Sequence, residues 1–281
     1  MEKQFEVSGP VEIDVRLAAG EIEVDPTLEG RVEVELIGHD DDSRALVEEA
    51  RVELVEQGTP KVVIDVPQKR RSGFGLSFGF GQQGVACRVR CPEQSLLRAR
   101  TKSADVTARG TLGGANVATA SGEIELERVD GAASAKTASG DVVVREVMGS
   151  ANLQTASGDV SIDIVRGSAT VSSASGDVEI GEAYDDVNVN SVSGDQRHRA
   201  VVTGHIGAHS VSGDIVIGVR KGSRAWLDCN TVSGDTSSEL EVTHEAPEGD
   251  GPLVEIRAKT VSGDIRITRA PAPAETVEVQ A

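Results

Sequence analysis

Aromatic side chains are close to absent from this chain: one Trp, one Tyr and four Phe among 281 residues. Polysaccharide-cleaving β-helices build their clefts from stacked rings and clustered acids and bases. Outside one glycine-rich loop this chain offers only Phe5, Tyr184 and Trp226, which disfavours a carbohydrate-active β-helix enzyme. Positive charge is short as well. Lys and Arg number 28 against 46 Asp and Glu, and the resulting net charge of -18 repels phosphate backbones and anionic lipid surfaces. No nucleic-acid partner and no membrane insertion are expected. No run approaches the roughly 20 apolar residues that cross a bilayer. The opening MEKQFEVSGPVEIDV has no basic stretch followed by an apolar one, as a secretory signal would. A cytoplasmic location is therefore expected, with a surface location left open.

Cysteine is scarce too. The three thiols provide no second Cys-x-x-Cys pair and no matching histidine spacing, a poor basis for zinc. Cys87 and Cys91 share strand parity with Val85 and Val89 and read as core. Residues four apart on a strand lie about 13 Å apart, too far for a disulfide. Cys229 falls in the column of Val117, Ala135, Leu153 and Val171 and reads as a buried, inert thiol. There is no Walker loop, strand-linked G-x-G-x-x-G, nucleophile elbow or His-Glu-x-x-His. No enzymatic activity, cofactor or metal is expected.

What the chain has in quantity is a repeat. Ser-Gly-Asp returns at Gly140, Gly158, Gly176 and Gly194 with a spacing of eighteen. Ser-Gly-Glu at Gly122 and Ser103-Ala104-Asp105 extend the register backwards; Gly213, Gly234 and Gly263 continue it at 19, 21 and 29. A short fixed period means a solenoid. Two and four residues after each glycine stand aliphatics, such as Val160 and Ile162 or Val178 and Ile180, the alternation of a half-buried strand. Before the glycine come triplets such as Ala151, Leu153, Thr155, forming a second strand, and Gly131, Gly149 and Gly167 mark the other corner. Glycine supplies positive φ, and the flanking Ser and Asp bond nearby amides. Thr119, Thr137, Thr155, Ser173, Ser191, Ser210, Thr231 and Thr260 form an inward column, expected to hydrogen-bond along the stack. A left-handed hexapeptide helix would need an aliphatic at every sixth position, which is not seen. The expected fold is all-β: a right-handed parallel β-solenoid (β-helix) with about 18 residues per coil and a short N-terminal helical insertion. Nine coils at about 4.8 Å give a rod on the order of 45 Å.

Residues 1–100 read as degenerate opening coils with a capping insertion, 101–269 as the regular repeats and 270–281 as a disordered tail. Val11, Ile13, Val15 and Leu17 with Ala19-Gly20-Glu21 make a first coil. Asp42-Ser43 is placed to cap a short helix through Ala50 that shields the end of the rod, followed by strands over 52–55 and 62–66. The run at 69–84 is glycine-rich.

Three places are candidate sites. Asp141, Asp159, Asp177, Asp195, Asp214, Asp235 and Asp264 form a column, either solvated turn residues or a cation ladder. In the fifth coil Gln196 and His198 replace aliphatics, with Arg197, Arg199, His205 and His209 nearby. They read either as an anion- or pH-sensitive patch or as a bulge or strand exit facing solvent. Phe74, Phe78 and Phe80 sit beside Lys69, Arg70 and Arg71 in the glycine-rich loop, a segment suited to a partner or a second copy, or else a plain hairpin loop. Trp226 is expected to plug the wider late coils.

The segments VEIDVRLAAGEIEV, VRCPEQSLLRARTKSADV, SASGDV and SRAWLDCNTVSGD resemble the bacterial β-strand-repeat family of unknown function labelled "putative adhesin", from about Phe5 to Arg269 and in its actinobacterial form. The resemblance implies a right-handed β-solenoid with no established catalytic residue. The expectation is a non-enzymatic scaffold or protein-interaction module that binds a protein partner or self-associates, as a homo-oligomer joined through open sheet ends. A cell-surface adhesin exported without a recognisable signal is the first alternative.

Overall fold

Residues eighteen apart lie directly against one another. The computed structural model describes residues 1–56, 58–68, 84–240 and 251–270. Strand Val160–Val165 pairs in parallel with Val178–Ala183, setting Val160 on Val178 and Ile162 on Ile180. On the other side of the tube Ala151–Ser157 pairs with Ala169–Ser175, setting Leu153 on Val171 and Thr155 on Ser173. All strands belong to one continuous hydrogen-bonded sheet. The inward positions are sealed: Val142, Val144, Ile162, Leu153 and Val171 are each 0% exposed. Each such aliphatic contributes about 1.5 to 3 kcal/mol of burial, and β-branched side chains suit the pleat.

From Leu96–Leu112 to the strands Gly204–His209 and Ile215–Val219, the layers stack in chain order. At the C-terminal end they do not. Leu253–Ser262 pairs with Gly204–His209 on one side and Arg224–Ser233 on the other, and Ile265–Arg269 lies likewise between Ile215–Val219 and Thr236–Ser238. The spacings of 21 and 29 thus do not mark two successive enlarged coils. The chain passes over one position, lays down residues 224–238 as the outermost layer and returns to fill the gap. The hop needs only residues 220–223, because an extended chain of that length reaches two rungs of about 4.8 Å.

The N-terminal end repeats the device. Glu12–Asp25 lies between Lys61–Asp65 with Val85–Arg90 on one side and Leu96–Leu112 on the other, so the expected first coil is the second layer. Ion pairs hold it from both sides: Glu12 takes Lys61 at 3.1 Å and Arg98 at 3.1 Å. Leu96–Leu112 runs unbroken across residue 100.

Beyond the first layer the sheet turns antiparallel. Arg31–Gly38 pairs with Val85–Arg90, Arg51–Val55 with Lys61–Asp65, and Glu2–Glu6 with Arg31–Gly38. The helix Asp41–Glu49 packs here through buried Val47. Its N-cap is Asp40 rather than Asp42: Ser43 N–H donates to Asp40 Oδ1 at 2.7 Å, while Asp40 N–H donates to Ser43 Oγ at 2.9 Å. Ser43 therefore closes a reciprocal box three residues inside the cap. Helix and antiparallel strands together close this end of the rod.

The corner glycines are required for space. A Cβ on Gly176 would lie 2.2 Å from the Gly158 carbonyl oxygen, and one on Gly140 would meet the Gly122 oxygen equally closely, at 2.2 Å. Gly176 also has φ +130°, whereas Gly140 is not among the positive-φ residues, so backbone conformation alone does not account for the column. We predict that Gly140→Ala lowers unfolding free energy by at least about 2 kcal/mol, read by chemical denaturation. A neutral outcome would mean that adjacent corners are not in van der Waals contact.

Candidate functional site

The Ser-Gly-Asp corner carries the most regular chemistry of the molecule. Where one Ser-Gly-Asp corner lies on another, its backbone N–H points along the rod and the carboxylate of the neighbouring layer takes it. Asp159 N–H donates to Asp141 Oδ1, Asp177 to Asp159, Asp195 to Asp177, Asp214 to Asp195 and Asp264 to Asp214, each at 2.8 Å. Asp235 completes the series on Asp264 at 2.9 Å, in the spatial order of the layers. Charge-assisted bonds of this kind exceed neutral ones. The expected hydroxyl ladder is interrupted by comparison. Thr101 and Thr119 bond at 2.8 Å and Ser191 and Ser210 at 3.1 Å, but the Thr137, Thr155 and Ser173 oxygens are buried without partners among the described residues. Among the described residues no group of three or more His, Cys, Asp and Glu side chains converges on a metal position.

Beside this ladder lies a column that sequence reading passed over. Two residues before each glycine stand Ala120, Ala138, Ala156 and Ala174, then Val192, Val211, Val261 and Val232 in spatial order. Bonds between neighbouring corners tie these valines into adjacent rungs: Ser212 N–H donates to the Val192 carbonyl at 2.9 Å and Ser262 N–H to that of Val211 at 3.0 Å. They are exposed by 55%, 51%, 50% and 80% respectively. The result is an aliphatic ridge along one corner of the C-terminal half. The switch from Ala to Val at a single repeat position was the available signal.

The histidine and arginine cluster separates into three locations. Gln196 and His198 point inward, at the positions of Val178 and Ile180 in the preceding coil and Ile215 and Ile217 in the next. The strand Gln196–Val201 stays in the stack, with a register shift after His198 rather than an exit to solvent. Gln196 Nε2 donates to Ser191 Oγ at 2.9 Å and to the His209 carbonyl at 2.8 Å; its Oε1 and both His198 ring nitrogens have no partner among the described residues. Burial pushes the His198 imidazole down to about 4. Arg197 and Arg199 face outward on that strand, and Arg199 pairs with Glu179. His205 and His209 lie on the opposite wall, where His205 meets Asp186 at 3.1 Å and Glu255 at 3.3 Å, bridging three layers. Among the described residues these five side chains do not converge on one site.

The other expectations distribute as follows. Phe74, Phe78 and Phe80 lie outside the described residues, as do residues 271–281. Cys87 and Cys91 are buried, and desolvation raises their thiols to about 12 and about 11. Cys229 is only partly buried because it sits in the outermost layer. Trp226 does not plug the tube: it is 44% exposed on the outer face, with the Arg257 guanidinium 5.9 Å from its ring centre. A groove of about 1090 Å³ at the N-terminal end contains Arg88 and Arg90, which are paired with Glu23 at 3.0 Å and Glu33 at 2.5 Å.

The profile of the family described as Toastrack DUF4097 matches residues 11–268. The chain belongs to that family. The Toastrack match begins and ends in the two inserted layers. Among solved structures, this chain is similar to a Bacteroides fragilis protein described as a "putative adhesin", at 12% identity over 95% of this chain and 96% of that one, TM-score 0.49. A Parabacteroides distasonis protein with the same description matches at 13% identity over 95% and 96%, TM-score 0.43. Another from Parabacteroides distasonis, described as a "putative lipid binding protein", matches at 14% over 96% and 96%, TM-score 0.38. No curated protein matches the chain. The Toastrack family has no assigned function.

Two predictions concern stability of this Toastrack solenoid. The folded state holds His198 neutral down to about 4, whereas an unfolded histidine protonates near 6.5. Stability contributed by the neutral ring is complete above pH 6.5 and is lost as pH falls towards 4, by an amount on the order of 3 kcal/mol. His198→Leu removes that slope and raises stability at neutral pH, as denaturation curves between pH 4 and 7 should record; an unchanged slope would place the ring in water. Asp177→Ala strands the Asp195 amide and is expected to cost about 1 kcal/mol, with Asp177→Asn recovering most of it. Equal losses in the two variants would mean that the carboxylate acts through its charge instead.

Proposed function

We propose that this Toastrack chain is a non-enzymatic scaffold that binds a protein partner along the Val192–Val211–Val261–Val232 ridge. The observation that carries the reading is the exposure of these four stacked valines, each half uncovered or more. A contiguous apolar stripe on a strongly charged surface is characteristic of an interaction site. At about 4.8 Å per rung it runs for roughly 14 Å, and the aspartate corners beside it supply a polar rim. Other charged groups compensate one another in place: Arg128 takes Glu146 at 2.6 Å, Arg145 takes Glu125 at 3.2 Å and Arg220 takes Glu182 at 2.7 Å. Such pairing spreads acids and bases over the walls, which supports a binding role over an acid–base reaction. The three free thiols agree with a cytoplasmic setting, where reducing conditions prevail.

The test is a photo-crosslinking amino acid placed at position 192 or 211 in living cells. Both positions are expected to capture the same discrete protein, and the same probe at Ala138 or Ala156 is expected not to. Val211→Asp should abolish the capture at position 192 while leaving the circular dichroism spectrum and Tm within experimental error. Equal capture from the alanine and valine halves, or no effect of Val211→Asp, would remove the ridge as the binding surface.

A further inference from the structure

The valine ridge is flanked unequally. Two residues before each valine, and therefore on the same face of the strand, stand Asn190, His209, Lys259 and Asn230, which are neighbours by strand pairing. Across the corner, three residues after each valine, stand Asp195, Asp214, Asp264 and Asp235 in the same order of layers. Membership of the ladder leaves these carboxylates charged, because an amide N–H bonds one oxygen without neutralising it: Asp195 Oδ1 accepts from Asp214 N–H and Asp214 Oδ1 from Asp264 N–H. An apolar line one valine wide thus runs between a row of acids and a row that is neutral or basic. Main-chain groups along the corner are already engaged, since the Val192 carbonyl holds Ser212 N–H at 2.9 Å and the Val211 carbonyl holds Ser262 N–H at 3.0 Å. Whatever lies on the ridge meets it through side chains.

We infer that the occupant is an amphipathic α-helix of a partner protein, laid along the rod with a basic flank over the aspartate row. The inference rests on the reading of the ridge as a protein-binding surface and names the chemistry of the partner. Spacing selects a helix. Apolar side chains at i, i+3, i+7 and i+10 stand at about 0, 4.5, 10.5 and 15 Å along a helix axis, and four rungs of the rod at about 0, 4.8, 9.6 and 14.4 Å. Each anchor therefore falls within about 1 Å of a valine. An extended segment fails, because its like-facing side chains recur about every 6.6 Å and the second lands between rungs. Strand addition needs main-chain partners that the corner has already committed. Charge selects the flank. The four carboxylates on one side outweigh Lys259 and His209 on the other, in a chain whose net charge is -18, so Lys or Arg beside the apolar stripe is attracted and Asp or Glu repelled. The same field disfavours a second copy, since two chains of net charge -18 repel. Nor does the helix Asp41–Glu49 supply the occupant, for it begins on Asp41 and Asp42, ends on Glu48 and Glu49 and already packs through Val47 on its own rod.

The probe is a labelled synthetic peptide of about 18 residues, long enough to form a helix when bound, with Leu at i, i+3, i+7 and i+10, Lys on one flank and Ala elsewhere. Fluorescence anisotropy with the full chain is expected to show binding about tenfold tighter than for the same peptide with Glu in place of Lys, and a proline at the peptide's centre should abolish it. Simple attraction to an acidic protein is separated by Val211→Asp, which adds negative charge yet is expected to weaken binding of the Lys peptide about tenfold. Asp195→Asn combined with Asp214→Asn keeps the ladder bonds and should weaken it several-fold. The same exchange at Asp141 and Asp159, beside the alanines, should leave binding unchanged. Equal binding of the Lys and Glu peptides, undiminished binding of the proline peptide, or undiminished binding to Val211→Asp overturns the inference. A dimer of the chain that Val211→Asp dissolves would give the ridge to a second copy and overturn it as well. Photo-capture at positions 192 and 211 is read independently. Capture of a protein there without binding of the Lys peptide removes the helix and leaves the ridge as a binding surface, whereas loss of position-specific capture removes the ridge itself.

Discussion

The structure depends on the contact between one corner and the next. A glycine Cα in each Ser-Gly-Asp turn sits against the carbonyl oxygen of the turn before it, so close that no Cβ fits, and the aspartate beside it accepts the following amide at 2.8 Å. Together these two features set the rise and the lateral position of the Ser-Gly-Asp layers. Parallel strands alone tolerate slippage; a glycine that must lie under a carbonyl and a carboxylate that must reach one N–H do not. The valine and isoleucine columns then fall into line at the correct height. Burial provides the bulk of the stabilisation, and the corner decides which residues share it.

A corner so strictly specified frees the positions around it. The residue two before the glycine faces water in every repeat, contributes nothing to the interior and is therefore available to vary. In this chain it is Ala through the first coils and Val in the last four layers. The interior shows the opposite economy. Gln196 and His198 occupy sealed aliphatic positions, and the surrounding layers keep their pairing regardless, with a local register shift after His198.

Much of this was legible in the residues themselves, and the failures have physical causes. Val160 over Val178 and Leu153 over Val171 follow from the eighteen-residue period, because a parallel solenoid has no other way to bring like residues together. The helix beginning after Asp40 was visible within two residues through Ser43. Order of stacking was not visible. Leu253–Ser262 and Arg224–Ser233 carry the same pattern, and periodicity states which residues share a column without stating which layers are neighbours. The aspartate column and its bonding to nearby amides were legible, but the ladder along the stack was assigned to the hydroxyl column, which recurs with the same period; only geometry shows that the amide of one turn points at the carboxylate of the neighbouring layer. His198 was grouped with Arg197, Arg199, His205 and His209 by proximity along the chain, yet alternation sends neighbouring residues to opposite faces of a strand.

The insertion of a layer at each end has a mechanical meaning. Tension applied through the flanking chain at Arg269 is delivered to a layer bonded on both sides, so rupture requires two rows of hydrogen bonds to shear together. An ordinary stack, whose first and last rungs are also its free ends, unzips one bond at a time. Assembly is constrained in the same way: in the finished rod residues 224–238 reach the rest of the stack only through 253–269, so the outermost layer has its inner neighbour only once that later segment is in place.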